Sequence, residues 1–348
     1  MSLGEPDFSG RIVRWQKTSG RHDLPWQATR DPYRVWLSEI MLQQTQVSTV
    51  MAYYEAFLIR FPDVKKLALA DLDDVLSMWS GLGYYSRARN LHRCAQQVLR
   101  QHGGEFPRSA QELQELPGIG RSTAAAIAAF CHSERVAILD GNVRRVLARV
   151  LGFDADLALA SNERALWDLA QGLLPQADLA QSMPRYTQGL MDLGSRLCSR
   201  TRPTCTDCPV QELCVAHAEG ETHKYPVRTR KLKRTSESLW LLWAHDEQGA
   251  AWLLRRPQRG VWASLHCLPV FDSEASLLAA LPQRLRGNGS ALPVVRHVLT
   301  HKDLFLHPLR VALPKRAALA LEGSWFGPEH WPTLGLPAPI RTLLGGLS

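Results

Sequence analysis

Between Leu116 and Gly152 the chain breaks one helix, turns tightly and starts two more, which commits this region to helices packed about a hairpin. Leu116-Pro117-Gly118-Ile119-Gly120-Arg121-Ser122 supplies the break, and an alanine-rich run from Thr123 to Phe130 starts the next helix. Such a turn leaves backbone N–H groups unpaired at a helix N-terminus, where they can hold a phosphate. A short apolar run, Val136-Ala137-Ile138-Leu139, then ends in Asp140-Gly141-Asn142. Val143, Val146, Leu147, Val150 and Leu151 follow at helical spacing, with Gly152 as a stop signal. Asp140 therefore stands at the mouth of a helix just downstream of the hairpin. A plain helix turn followed by an N-capping Asp reads the same residues equally well.

A chain of 348 residues has room for two domains with cores of their own. Its net charge of +8 is a modest excess that suits an anionic partner. The first residues, Met1-Ser2-Leu3-Gly4-Glu5-Pro6-Asp7, have neither the basic start nor the apolar core of a signal peptide. No apolar run reaches membrane-spanning length, so a soluble protein of a reducing compartment is expected.

Residues 8–24 read as a helix striped by Ile12, Val13 and Trp15. Asp31 before Pro32 reads as an N-cap with proline at the first helical position. The helix expected from Tyr33 to about Thr49 carries Glu39, whose neighbours along its face are Val35, Trp36, Leu42 and Gln43. A carboxyl on so apolar a face loses solvation, and its pKa should rise. An exposed Glu on an amphipathic helix is the alternative. Two or three further helices fill 51–101. Between them Trp79-Ser80-Gly81-Leu82-Gly83-Tyr84-Tyr85-Ser86-Arg87-Ala88-Arg89 forms a loop suited either to stacking and phosphate contact or to a turn with core aromatics. Helices continue through 163–174 and 185–197, and the first 220 residues show no strand-like alternation.

Cys94, Cys131 and Cys267 stand alone and read as small buried apolar residues. Cys198, Cys205, Cys208 and Cys214 fall within a 17-residue span as C-x6-C-x2-C-x5-C, beside Arg196, Arg200 and Arg202. Four thiols so placed suit a tetrahedral metal centre or an iron–sulfur cluster. Zinc is the rival occupant, although the spacing lacks the paired C-x2-C knuckles usual for it.

From Thr222 the character changes. Lys224, Arg228, Arg230, Lys231, Lys233 and Arg234 face no acidic residue in sequence, and Pro226 interrupts any helix. Residues 222–238 read as a basic linker, solvated or in contact with DNA. Beyond it, Leu239–Trp243, an Asp246-Glu247-Gln248-Gly249 turn and Ala251–Arg255 make a hairpin signal. Strands are expected near 265–271, 294–299 and 304–311, and a helix near 274–286, so the second domain is α+β.

The hairpin with its downstream Asp and the four-cysteine pattern together resemble the helix–hairpin–helix DNA glycosylases of the endonuclease III superfamily. Ser38-Glu39-Ile40-Met41-Leu42-Gln43-Gln44-Thr45 and Leu139-Asp140-Gly141-Asn142-Val143 are most similar to its MutY branch, the adenine DNA glycosylases. The resemblance is strong over residues 20–216 and weak after 239. It implies a multidomain chain: an all-α helix–hairpin–helix glycosylase domain with an iron–sulfur cluster, then an α+β Nudix-like domain. The helical domain would take 1–221, with a six-helix subdomain at about 30–135 and the N-terminal helix joining 136–221 around the cluster. The linker would take 222–238, and the Nudix-like domain 239–348.

By the same resemblance the enzyme removes adenine mispaired with 8-oxoguanine, or with guanine, from double-stranded DNA after flipping it out. Glu39 would protonate adenine, Asp140 would stabilise the positively charged sugar, and Asn142 would position that sugar. Gln44 and Tyr84 would wedge into the base stack, while Gly118, Gly120 and Ser122 would hold the backbone. Cys198, Cys205, Cys208 and Cys214 would ligate a [4Fe–4S] cluster. The family's Phe-Ser-His element, which reads the damaged guanine, appears here as Leu299-Thr300-His301. Thr300 and His301, expected just after a strand, would then contact the lesion unless they are ordinary turn residues. A monomer is expected, cytoplasmic in a bacterium and associated with the nucleoid, with no membrane partner.

The chemistry of the residues agrees with these roles. Adenine leaves poorly until it is protonated, so a neutral acid is needed near neutral pH, and Glu39 on an apolar face suits that need. An oxocarbenium-like sugar needs an anion, and Asp140 at a helix N-terminus would be held ionised by the dipole. Lyase relatives carry a lysine where this chain has Ser122, and no lysine occurs from Leu67 to His223. A monofunctional glycosylase is therefore expected, against a bifunctional enzyme acting on oxidised pyrimidines. An iron–sulfur DNA-binding regulator would need no Glu39–Asp140 pair. The Glu-rich metal-binding helix of Nudix hydrolases is missing, so no phosphohydrolase activity is expected.

Overall fold

The computed structural model describes residues 5–229, 233–313, 319 and 321–346. Helices come first: α1 (Glu5–Ser19), α2 (Pro32–Leu42), α3 (Val47–Arg60), α4 (Val64–Leu69), α5 (Leu72–Met78) and α6 (Ser86–His102). Then follow α7 (Ala110–Leu113), α8 (Arg121–His132), α9 (Gly141–Leu151), α10 (Ala160–Gly172), α11 (Leu179–Asp192) and α12 (Val215–Ala218). No strand occurs before Thr235 among the described residues, as expected. The strands are β1 (Thr235–His245), β2 (Ala251–Arg255), β3 (His266–Cys267), β4 (Val270–Phe271), β5 (Ser290–Ala291), β6 (Val295–Val298), β7 (Lys302–Ala312) and β8 (Ser324–Phe326). Helix α13 (Glu274–Ala280) lies between β4 and β5, and α14 (Ala338–Gly345) is the last helix. No helix among the described residues is long and apolar enough to cross a membrane.

Four expected helices end differently, and the one expected near 274–286 stops at Ala280, before Pro282. The first stops at Ser19, not at residue 24. The helix carrying Glu39 stops at Leu42, because Gln44 takes a left-handed backbone (φ +60°) that no helix continues through. Helix α11 ends at Asp192 and widens into one π-type turn over Leu193–Leu197. Asp31 caps α2 as expected, its carboxylate accepting from the Tyr33 N–H at 2.9 Å.

The packing divides the chain into two units, with one break inside the basic segment and two helical stretches grouped with the residues beyond it. One takes the chain up to Val47, Asp63–Lys65, and the stretch from Cys94 to the basic segment. The other takes Ser48–Pro62, Lys66–Arg93 and the residues beyond that segment. Hydrogen bonds account for this grouping in the second unit. The Tyr85 hydroxyl donates to the Leu336 carbonyl at 2.8 Å, Arg341 Nε to Ser80 Oγ at 2.9 Å, and Arg89 to the Ala263 carbonyl at 2.6 Å. Asp73 also pairs with Arg255.

The core of the first unit gathers Phe8 and Ile12 of α1, Ala125, Ala126 and Ala129 of α8, the apolar stripe of α9, and Met183, Tyr186 and Leu190 of α11. Every residue from Ala124 to Ala129 is buried, and small side chains let α2 and α11 pack closely on α8. In the second unit a mixed sheet runs in the order β3-β2-β1-β7-β5. Its centre is a parallel β1–β7 pair running from Thr235↔Lys302 to His245↔Ala312. The expected hairpin forms β1 and β2, paired antiparallel at His245↔Ala251. Leu277 and Leu281, on and just after α13, cover one face over Leu242, Ala244 and Val311.

The basic segment also differs from expectation. Lys224 pairs with Glu221 at 3.0 Å and Arg234 with Asp303 at 3.0 Å, so neither lacks an acidic partner. Strand β1 begins at Thr235, inside the expected linker, and Arg230 and Lys231 lie outside the described residues. Cys94, Cys131 and Cys267 are buried, as expected.

Candidate active site

The hairpin forms between α7 and α8. Gly118 adopts φ +80°, which favours glycine, and Gly120 caps α8 in extended backbone with no side-chain oxygen over the first turn. Gly118 and Gly120 are exposed, which leaves the turn before α8 open to an anion. Ser122 Oγ accepts from the Leu139 N–H at 3.1 Å, which ties the first turn of α8 to the run ending at Asp140.

Asp140 is the N-cap of α9, accepting from the N–H groups of Asn142 (2.8 Å) and Val143 (2.7 Å). Burial nevertheless pushes its pKa above the ordinary carboxylate value, opposed by those two donors and by Arg145 and Arg144. The helix terminus alone does not decide its acidity, which corrects the simpler expectation. Glu39, on α2, lines a cavity of about 440 Å³ with Trp26, Arg30, Phe130 and Gln188. Burial first, and then the charge of Asp140, raise the Glu39 pKa from its ordinary 4.5 to about 8. Both carboxyls thus move upward. What separates them is that donors and cations oppose burial at Asp140, whereas both influences on Glu39 act upward.

Asn142 is oriented from behind. Its Oδ1 accepts from Arg145 at 2.9 Å, and Arg145 also donates to the carbonyls of Gly194 (2.6 Å) and Cys198 (2.8 Å). A β-carbon on Gly194 would lie 2.7 Å from that of Asn142, so a glycine is needed there. Cys198, Cys205, Cys208 and Cys214 line one cavity with Arg149 and are free thiols. Burial pushes Cys208 up to about 11 and raises Cys205 and Cys214. Buried Arg149 donates to Cys198 Sγ at 3.2 Å and to the carbonyls of Ser199, Arg200 and Thr222. Among the described residues no three His, Cys, Asp or Glu side chains are arranged to hold a single ion.

Gln44 is exposed at the left-handed position after α2. In the second unit Tyr84 is 43% exposed and also left-handed (φ +48°), with the Arg87 guanidinium 5.4 Å from its ring centre. Arg87 is buried against the carbonyls of Leu82 and Gly83, and Arg89 is held by Ala263, so the arginines of this loop hold it together rather than reaching outward. The Tyr84 and Thr300 hydroxyls are hydrogen bonded. Both residues line a cleft of about 880 Å³ with Trp262, His297, Leu299 and His301. Thr300 and His301 sit in the exposed turn between β6 and β7.

Reading the sequence missed Gln188, Asp192, Arg145 and Arg149. The four-residue spacing of Gln188 and Asp192 on one helix was a usable signal. The two arginines act on carbonyls distant in sequence and carried none.

Known proteins resemble both parts of the chain. Residues 37–171 match the model of the HhH-GPD superfamily of base excision DNA repair proteins, and residues 239–345 match a NUDIX domain. An adenine DNA glycosylase of Buchnera aphidicola subsp. Acyrthosiphon pisum is 34% identical over 342 residues, covering 97% of this chain and 96% of that protein. The adenine DNA glycosylase of Homo sapiens is 42% identical over 223 residues, covering 62% of this chain and 40% of its own length. Among solved structures, a thermostable thymine-DNA glycosylase superposes with a TM-score of 0.54 at 28% identity, covering 62% of this chain and 97% of its own. Endonuclease III in a non-covalent DNA complex gives 0.51 at 19% identity, covering 63% and 98%, a likeness of fold alone.

Proposed function

The chain belongs to the adenine DNA glycosylase family, and we propose that it excises adenine opposite 8-oxoguanine, or opposite guanine, from double-stranded DNA. The observation that carries this reading is the carboxyl pair: Glu39, its pKa raised to about 8, lining a cavity of about 440 Å³, and Asp140 held as a helix cap. Glu39 keeps its proton at neutral pH and delivers it to a ring nitrogen of adenine as the glycosidic bond lengthens. Asp140 faces the positive charge that develops on the sugar, and Asn142, its carbonyl held by Arg145, helps to position that sugar. Flipping the base costs a few kcal/mol of stacking. Gln44 and Tyr84, exposed on left-handed backbone, supply wedges, and the turn at Gly118, Gly120 and Ser122 grips a phosphate. The test is release of free adenine from a duplex carrying adenine opposite 8-oxoguanine, compared with a duplex carrying a damaged pyrimidine. Release only from the second would overturn the reading.

Without a lysine near the hairpin the reaction stops at base release. Because Ser122 is bonded to the residue before Asp140, Ser122→Lys should bring an amine beside the sugar and add strand cleavage. Borohydride should then trap a covalent protein–DNA adduct, and absence of any adduct would contradict this placement.

Cys198, Cys205, Cys208 and Cys214 would hold a [4Fe–4S] cluster. Four thiols line one cavity and a guanidinium stands beside one sulfur, a donor set that suits a thiolate-ligated multi-iron cluster. Bound there, the cluster supplies a cross-link that ties residues 198–214 to one another. Purified protein should carry about four iron atoms per chain. Full activity with one zinc and no iron would contradict the assignment.

Thr300 and His301 read the damaged guanine. They share a cleft with Tyr84 and Trp262, and Tyr84 already bonds Thr300. Replacing both by alanine should lower the preference for 8-oxoguanine over guanine about tenfold to a hundredfold, or roughly 1–3 kcal/mol. Single-turnover excision at saturating enzyme should change far less. An unchanged preference would place the reading surface elsewhere. The protein acts as a monomer.

A further inference from the structure

Strands β1 and β7 place Trp243 and Arg310 side by side at the centre of the sheet, on the face opposite the one that α13 covers. There the two side chains line a cavity of about 530 Å³ with His297 of β6, the apolar side chains of Leu292, Val295 and Leu343, and helix α14. The Arg310 guanidinium lies 5.3 Å from the centre of the Trp243 ring. Trp243 is 3% exposed, and its Nε1 and the Nε of Arg310 are both buried without a hydrogen-bond partner. Both atoms can only donate, and a buried donor left unmet is costly. No acidic side chain lines the cavity. Burial holds the His297 ring below its ordinary pKa, so Arg310 alone brings charge to the lining at neutral pH. His297 also lines the cleft that holds Tyr84 and Thr300, but Trp243 and Arg310 do not, so the two cavities are distinct.

We propose that this cavity is a binding site for a small organic carboxylate with an apolar body, its oxygens accepting from Arg310 and from Trp243 Nε1. Two unmet donors beside one guanidinium call for a group that only accepts and carries negative charge, which describes a carboxylate. A phosphate monoester carries about −1.5 to −2 at pH 7, more than a single guanidinium offsets. The excess would have to be desolvated against apolar walls. A carboxylate leaves no charge over. The rest of the lining fixes the rest of the ligand. Leu292, Val295 and Leu343 offer contact without hydrogen bonds, which suits a hydrocarbon or aromatic body and penalises a sugar. A DNA phosphodiester also carries one charge, but its flanking sugars meet the same penalty. The volume is that of an ordinary small-molecule site.

The test titrates the full-length protein with three probes that share a phenylethyl body and differ in the head group: 3-phenylpropanoate, its amide, and 2-phenylethyl phosphate. Binding is followed by calorimetry and by the indole N–H resonance of Trp243, identified as the one that Trp243→Phe removes. The carboxylate should bind with a Kd of about 1 mM or tighter and shift that resonance. It should bind at least about tenfold more tightly than the amide, and more tightly than the phosphate. Arg310→Met should erase the preference for carboxylate over amide, and Trp243→Phe should weaken the carboxylate about twofold to tenfold. Equal binding of carboxylate and amide to the wild type, or no binding below about 10 mM, would leave the Trp243–Arg310 pair a packing feature and overturn the proposal. Tighter binding of the phosphate would assign the cavity to a phosphate ester instead. Saturation with an undamaged duplex should leave the carboxylate bound, and its displacement would assign the cavity to DNA. Should Arg310→Met or Trp243→Phe not fold, Leu343→Trp, which fills the cavity from the half-buried side of α14, should abolish binding of the carboxylate. Binding retained in Leu343→Trp would place the carboxylate elsewhere and overturn the site.

Discussion

Glu39→Gln should reduce single-turnover release of adenine by roughly a thousandfold or more, about 4 kcal/mol of barrier, while leaving duplex affinity within about twofold. Glutamine keeps the size and hydrogen-bonding reach of a neutral glutamic acid, so the cavity and its contacts persist. What it lacks is a proton acidic enough to pass to a departing base. Because Glu39 in the folded protein stays protonated up to about pH 8, the variant removes an acid that the wild type holds ready at neutral pH. Turnover within about tenfold of wild type would take Glu39 out of the acid role. A parallel loss of DNA affinity would assign the defect to binding instead.

Asp140→Asn should cost about a hundredfold to a thousandfold, roughly 3–4 kcal/mol, with little loss of stability. The side-chain oxygen of asparagine can accept from the same two N–H groups, Asn142 and Val143, so the cap of α9 survives. Only the charge is lost, and with it the stabilisation of a cationic sugar. A second consequence follows from the coupling of the two carboxyls. The Asp140 charge raises the Glu39 pKa, so removing it should lower that pKa and start the alkaline decline of residual activity at lower pH. Residual activity in Asp140→Asn that declines at the wild-type pH would mean that the two groups do not sense each other. A melting temperature depressed by more than about 10 °C would show that the cap was not preserved.

Both groups were legible in the sequence for local reasons. An Asp before Gly-Asn and an apolar helical stripe is a cap whose bonds reach only two and three residues onward. The apolar flanks of Glu39 lie within one turn of its own helix, and they foretold its raised pKa. The upward push on Asp140 was not legible, because it comes from helices that reach it only in the folded unit. The break after Leu42 was equally hidden. Gln43-Gln44 carries none of the Gly, Asn or Pro signals that mark a left-handed residue, so the helix seemed to run on to Thr49. Arg87 and Arg89 looked like phosphate ligands by composition, whereas folding spends them on carbonyls of Leu82, Gly83 and Ala263. The β-hairpin of β1 and β2 announced itself through its turn residues. The β1–β7 pairing, which joins strands nearly sixty residues apart, had no local signature, and neither did the grouping of residues 66–93 with the sheet.

The pH dependence of single-turnover adenine release, from about pH 5 to about pH 10, tests most directly whether Glu39 is the acid and Asp140 the anion. The wild-type rate should hold steady through neutrality and then fall about tenfold per pH unit above about pH 8, as Glu39 loses the proton it must donate. On the acid side the rate should fall as Asp140 gains a proton, at a pH above the ordinary carboxylate range, since burial has raised its pKa. Glu39→Gln should lose the alkaline limb and keep the acid one. A wild-type rate that stays level across pH 8, or an alkaline limb that survives in Glu39→Gln, would contradict the assignment of Glu39 as the proton donor.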